Sequence, residues 1–126
     1  MVPRPRDLVG ELRGPDAVKT LRAIKNQVIG CKSRKVAFIS EGAVQEILQI
    51  LNSSAPEQQA AVAVQACAVL GSLAYGTDAG LRELVAHGGI PRLVAMLSSA
   101  DPAVVEAGLR AIKMVVQQVC RLGPWG

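Results

Sequence analysis

The chain has 126 residues, 50% of them hydrophobic and 19% charged, a length and composition that fit one folded domain and exclude a disordered or low-complexity polymer. Only 2% of the residues are aromatic, which argues against a β-sandwich or barrel and favours closely packed helices of Ala, Val, Leu and Ile. The net charge of +4 arises from residues 1–35. Nucleic-acid-binding segments combine such cations with stacking aromatic side chains or a glycine-rich phosphate loop, and residues 1–35 have neither, so we expect no nucleic-acid partner.

The first 14 residues are predicted to be a flexible basic tail, since prolines and arginines alternate at residues 3–6. Charged residues follow before any apolar run, so this segment does not resemble a signal peptide. The later uncharged segment 58–77 is about as long as a bilayer span. It is rich in Ala and interrupted by Gln and Ser, so we interpret it as a buried helix and expect no membrane partner.

An internal repeat is the main signal in the sequence. The five residues from Leu21 to Lys25 recur letter for letter 88 positions later, and residues 67–71 form a middle copy, 46 positions after the first and 42 before the last. The glycines Gly42 and Gly88 show the same spacing of 46. The four extra residues of the longer interval fall in a segment rich in Ser, Asn and Pro, which predicts a loop where added length costs little free energy.

Each copy lies in a segment whose apolar residues are three and four positions apart, which predicts three equivalent long helices. Pro15, Pro56 and Pro102 mark the starts of these helices, because proline suits a first helical position. Gly30 and Gly76 mark the ends of the first two.

Between the long helices, the pattern predicts short amphipathic helices at 33–40 and 78–86 and further helices at about 43–51 and 89–97. We therefore predict an all-α protein, an armadillo-type α-solenoid in which three-helix repeats form a right-handed superhelix, with about two full repeats between partial ones. HEAT repeats, with two helices each, are the nearest alternative.

The predicted organisation has five segments. They are a flexible basic tail at 1–14, the third helix of a partial repeat at 15–30, one repeat at 31–76, a second at 77–119, and an irregular, possibly truncated end at 120–126. Leu21, Cys67 and Leu109 are expected at equivalent buried positions. Because the last helix shows no polar cap, we expect the sequence to be the opening segment of a longer solenoid.

Three stretches resemble one family within the armadillo class. They are residues 24–30 with Lys32 and Lys35, residues 42–44, and residues 68–77 with the order Gly-Ser-Leu-Ala-Tyr-Gly-Thr. Over residues 16–117 the chain is similar to the N-terminal repeats of the armadillo repeat-containing protein eight family. The resemblance implies a non-catalytic scaffold subunit of a CTLH/GID E3 ubiquitin ligase complex, with partner subunits in that complex, a role in proteasomal degradation, and a cytoplasmic and nuclear location.

No residue pattern indicates an enzyme. A nucleophile needs a base within hydrogen-bond reach, and the single histidine, His87, lies at a repeat corner. Cys67 takes an apolar repeat position, while Cys31 and Cys120 are isolated thiols that cannot form a disulfide framework or a zinc site of the usual spacing. We expect a reducing compartment and no catalytic residue, cofactor, metal or small-molecule substrate.

In armadillo folds the long third helices line a concave groove, and the repeat register selects candidate partner-binding residues there. They are Arg22, Lys25, Asn26, Ala68, Ser72, Arg110, Lys113 and Met114. Armadillo grooves that bind basic peptides carry a Trp and, four residues later, an Asn. Among the corresponding positions of this chain, only Asn26 matches that pattern. The four cations of the set disfavour such cargo and favour an acidic or helical partner segment, or else they are simply solvated. The alternative function is a generic armadillo adaptor of transport or adhesion type.

Overall fold

The computed structural model describes residues 3–122, and within that range the ordered elements are helices. They are α1 (Pro5–Glu11), α2 (Ala17–Val28), α3 (Lys32–Ser40), α4 (Ala43–Ser53), α5 (Gln59–Ala74), α6 (Asp78–Ala86), α7 (Gly89–Ala95) and α8 (Pro102–Leu122). A short 3-10 turn, Met96–Ser98, continues α7. The prediction of an all-α solenoid is confirmed, and a pair of shorter helices followed by a long helix occurs twice, as α3, α4, α5 and as α6, α7, α8.

The long helices pack side by side, with α5 between α2 and α8. Small residues allow the close approach of α5 and α8: a Cβ atom added to Gly71 would lie 3.0 Å from Met114 Sδ and 3.2 Å from Ala111 Cα. Ten of the sixteen residues of α5 are buried, so this uncharged segment forms the centre of the core because it is covered on both sides. None of the helices within residues 3–122 combines the length and the apolar character of a membrane span.

The corner between the first two helices of each repeat depends on glycine. Gly42 and Gly88 precede α4 and α7 with φ angles of +83° and +73°, in the left-handed region that side-chain-bearing residues rarely adopt. The two glycines that are 46 positions apart in the sequence therefore have the same left-handed backbone conformation at equivalent corners.

Hydrogen bonds tie successive helical layers together. Arg92 of α7 donates from Nε to Asn52 Oδ1 (3.0 Å) and from Nη2 to the carbonyl oxygen of Leu51 (3.2 Å) at the end of α4. Between the same two layers, the Gly76 amide donates to Gln118 Oε1 of α8 (2.7 Å). These bonds use polar groups at helix ends, which would otherwise lack partners.

The N-terminal segment differs from the expected flexible tail. Residues 5–11 form α1, and Leu8, Val9 and Leu12 are buried against the rest of the molecule. The following turn is held by Arg13, which donates two hydrogen bonds to the carboxylate of Glu46 on α4 (2.9 and 2.5 Å). The expectation of a flexible tail is wrong for this part because three apolar side chains gain burial by packing on α2 and α3.

The long helices begin and end differently from the predicted bounds in three places. The first two start at Ala17 and Gln59, a few residues after the prolines that we expected at their first turns, while Pro102 is the first residue of α8. Helix α8 continues to Leu122, so the irregular end predicted from residue 120 is wrong for 120–122, and 123–126 lie outside the described residues.

The predicted equivalence of three buried positions is correct for two of them. Leu21 and Cys67 are fully buried, whereas 52% of Leu109 is exposed. The repeat register places all three on the same side of a long helix. Leu21 and Cys67 have a further helical layer on that side, but α8 is the last helix of the described chain, so Leu109 has no such layer.

Candidate protein-interaction surface

The first part of the predicted groove lies on α2. Arg22 and Asn26 are exposed, and Lys25 is half-buried because its Nζ atom reaches across to Gln65 Oε1 on α5 (3.4 Å). The helical periodicity of α2 turns its apolar residues towards the core and leaves these polar side chains together on the outer surface. A small open groove of about 260 Å³ adjoins Arg22 and is lined further by Val64 and Asp101.

The middle part of the groove, on α5, is less accessible than the sequence predicted. Ala68 is half-buried, and Ser72 is only 8% exposed. Both residues lie on a helix enclosed by α2 and α8, so Ser72 belongs to the packed layer more than to a binding surface.

The third part lies on α8 and carries a mixed set of side chains. Arg110 is exposed and forms an ion pair with Glu106 one turn earlier, which neutralises part of its charge. Met114 is half-buried because its sulfur packs against Gly71. Lys113 is exposed and forms no ion pair with the described residues.

The eight predicted residues therefore do not form one continuous patch. Arg22, Lys25 and Asn26 lie together on α2, and Arg110 lies on α8, so the accessible cations form a basic surface in two parts, one on each outer long helix. An exposed cation attracts a carboxylate over a distance of about 10 Å at 0.1 M salt. This surface consequently suits an acidic protein segment better than a basic one.

An aromatic site at the end of α5 was not among the predicted residues. Two cations approach the ring of Tyr75, with Lys35 Nζ 5.6 Å and Arg121 Cζ 5.2 Å from its centroid. Lys35 Nζ also donates to the carbonyl oxygen of Tyr75 (2.8 Å), and burial lowers the pKa of this lysine. Lys35 and Arg121 are 86 positions apart in the sequence, so only packing brings them to one ring.

The histidine and the buried cysteine, which are the candidates for reactive side chains, lie in separate surroundings. His87 Nε2 lies 3.8 Å from Glu83 Oε1 at the corner before α7. Cys67 Sγ contacts Met96 Sδ (3.0 Å), and burial raises the pKa of this thiol to about 11. Residues 3–122 contain no group of three or more His, Cys, Asp or Glu side chains that could hold a metal ion.

Comparisons with known proteins relate the chain to armadillo repeat proteins. No protein-family model matches. Over 113 residues the chain is 34% identical to Armadillo repeat-containing protein 8 from Xenopus laevis, from Mus musculus and from Danio rerio. The matched region covers 87% of this chain and 15% to 16% of those relatives, so the chain spans a small part of their length.

Two solved engineered proteins have a similar fold. They are Northeast Structural Genomics Consortium targets OR329 and OR497, which superpose with TM-scores of 0.75 and 0.73 at 26% sequence identity. Each match covers 90% of this chain, with 50% and 30% of the respective engineered chain.

Proposed function

We propose that the chain is a non-catalytic scaffold subunit of a CTLH/GID-type E3 ubiquitin ligase, because it is homologous to Armadillo repeat-containing protein 8 over 87% of its length. The observation that carries this proposal is the sequence relationship, together with a repeat fold suited to protein binding. The proposal includes the cytoplasmic and nuclear location and the role in proteasomal degradation that the family resemblance implies.

The proposed mechanism is positional. The helices of the chain are tightly packed, since ten of the sixteen residues of α5 are buried. Such a stack holds its surface residues at fixed separations. Partner subunits bound to such a stack stay at high effective concentration relative to one another. A substrate lysine then spends more time near the charged ubiquitin carrier, and no side chain of this chain has to react.

The proposed partner surface is the exposed basic side of the long helices. Arg22, Lys25 and Asn26 form its main part, and Arg110 extends it onto α8. Of the remaining members of the predicted set, Ala68 and Met114 offer apolar contact area. A partner segment that carries carboxylates would gain charge-assisted hydrogen bonds to these cations.

Co-purification tests the ligase role. The tagged chain, expressed in cells that contain the ligase, should co-purify with the Ran-binding-protein-like and RING subunits of the complex. If importin or adhesion proteins co-purify and the ligase subunits never do, the alternative of a generic armadillo adaptor is correct.

Charge reversal tests the surface. The double variant Arg22→Glu with Lys25→Glu should lose co-purification of the ligase subunits while its helical circular dichroism spectrum stays unchanged. The matched control reverses two exposed cations on another layer, Lys32→Glu with Arg34→Glu on α3, and should retain the subunits. Equal retention by both variants would contradict the assignment of this surface.

A further inference from the structure

The small groove beside Arg22, which we call the Arg22 groove, has an apolar and a charged part. The apolar part consists of Ala60, Ala61 and Val64 on α5 and Ala103 on α8. Arg22 on α2, Gln65 on α5 and Asp101 before α8 complete the lining. The groove is thus bounded by three successive long helices that the structure describes, and none of its residues belongs to the side of α8 that carries Leu109.

The volume of the groove sets the size of its occupant. It is about 260 Å³, below the range of about 300–1,000 Å³ that is usual for small-molecule pockets. A single side chain of a protein segment needs less space than a complete ligand, and the rest of the segment can lie along the surface of the long helices. We therefore expect the groove to hold an anchoring side chain of a partner segment.

The apolar part of the lining suits an aliphatic side chain. Ala60 and Val64 are half-buried, and Ala61 and Ala103 are exposed. An aliphatic side chain placed against these four residues removes apolar surface of both partners from water, which is favourable. Because three of the four residues are alanines, their short side chains leave the space that the anchor needs.

The positive charge beside the groove comes from Arg22, which forms no ion pair with the described residues. Lys25, about one turn later on α2, adds a second cation, and its Nζ donates to Gln65 Oε1 (3.4 Å). Since the oxygen of the Gln65 amide accepts this bond, its Nε2 remains available as a donor. A carboxylate at Arg22 gains a charge-assisted hydrogen bond.

The acidic residue of the lining, Asp101, offsets this positive charge only in part. Its Oδ1 accepts a hydrogen bond from the Ala103 amide (2.9 Å) in the first turn of α8. The positive end of the helix dipole lies there as well, equivalent to roughly half an elementary charge. The groove therefore attracts an anion more strongly than a cation.

We propose that the Arg22 groove binds a protein segment in which an acidic residue adjoins an aliphatic one. The aliphatic side chain packs on Val64 and the neighbouring alanines, and the carboxylate binds the Arg22 guanidinium. This inference rests on the proposed function, since it takes the basic side of α2 as a protein-binding surface. It adds an apolar anchor to the acidic character of the partner.

Three labelled peptides test this pairing with the whole chain. Each peptide carries three residue pairs joined by Gly-Ser spacers, and the pairs are Glu-Leu, Lys-Leu or Glu-Ala. Fluorescence anisotropy should give the Glu-Leu peptide a Kd at least about tenfold below that of either other peptide. The Kd of the Glu-Leu peptide should rise with added salt, because screening weakens the attraction between its carboxylates and Arg22.

Variants that fill the groove locate the binding. Ala61→Leu and Ala103→Leu each place a larger side chain in the groove, so each should raise the Kd of the Glu-Leu peptide at least about tenfold. Ala79→Leu is the matched control, since Ala79 is exposed on α6 outside the groove, and should bind as the parent does. Arg22→Gln should remove the preference for Glu-Leu over Lys-Leu. Circular dichroism checks that each variant keeps its helices.

Four results would overturn the proposal. They are equal Kd values for the three peptides, no binding of any peptide, tighter binding of the Lys-Leu peptide, and binding of the Glu-Leu peptide that Ala61→Leu leaves unchanged. Tighter binding of the Lys-Leu peptide would assign the groove to a basic segment held by Asp101.

Co-purification separates this inference from the proposed function. If the ligase subunits co-purify with the chain but the three peptides bind equally, only the groove inference is wrong. If the Glu-Leu peptide binds as expected and the ligase subunits never co-purify, only the ligase role is wrong.

Discussion

At the level of single residues, burial and local hydrogen bonds give two cysteine side chains different thiol pKa values. The thiols of Cys67 and Cys31 have pKa values shifted in opposite directions, upward to about 11 for Cys67 through burial and downward for Cys31. The largest cause of the lower pKa of Cys31 is its hydrogen bond with Ser33 Oγ (3.4 Å). A thiolate is the reactive form, so the structure orders these cysteines by reactivity.

Alkylation at neutral pH should therefore modify Cys31 in the folded chain and leave Cys67 unmodified until unfolding. Replacing Ser33 by Ala removes the donor to the Cys31 thiolate, which raises the pKa of Cys31 and lowers its thiolate fraction at pH 7. Mass spectrometry of iodoacetamide-treated protein should show slower modification of Cys31 in Ser33→Ala. The rate at exposed Cys120 serves as the internal control, and an unchanged Cys31 rate would contradict the assigned role of Ser33.

At the scale of an element, the start of α6 depends on a short contact with the end of α5. Thr77 Oγ1 accepts a hydrogen bond from the Gly80 amide (3.1 Å) and donates one to the carbonyl oxygen of Leu73. The hydroxyl thereby caps one helix and satisfies the end of another. Gly80 is needed in this turn, because a Cβ atom there would lie 1.9 Å from the Leu73 carbonyl oxygen.

Gly80→Ala should therefore destabilise the chain by about 1–3 kcal/mol or more, since the clash involves backbone that cannot rotate away. Urea denaturation followed by circular dichroism measures the loss. Gly10→Ala on α1 is the control, because an added Cβ would meet no atom within 4 Å there. Equal stability of the two variants would mean that α6 can move away from α5 without cost.

For the whole molecule, stability depends on the close packing of α5 against α8. A Cβ atom at Gly71 would lie 3.0 Å from Met114 Sδ and 3.2 Å from Ala111 Cα. Gly71→Val should therefore destabilise the chain by about 1–3 kcal/mol, because the two helices must move apart. Urea denaturation measures the loss, and a variant as stable as the parent would mean that α5 and α8 can separate without cost.

The sequence alone determined the local elements of this protein and their order. The helices predicted at 33–40 and 78–86 occur at Lys32–Ser40 and Asp78–Ala86. The helices predicted at about 43–51 and 89–97 occur as α4 and α7, directly after Gly42 and Gly88. These features depend on apolar periodicity and on backbone conformations that only glycine adopts readily, and both are properties of neighbouring residues in the chain.

Only the tertiary structure decided which sides of those helices are covered. Apolar periodicity marks Leu109 as it marks Leu21, but exposure depends on whether another layer lies against the helix. For the same reason Ser72 is buried on the enclosed helix α5, and Leu8 anchors a segment that was predicted to be flexible. The two cations at Tyr75 meet through packing of residues distant in sequence, so no local pattern could reveal them.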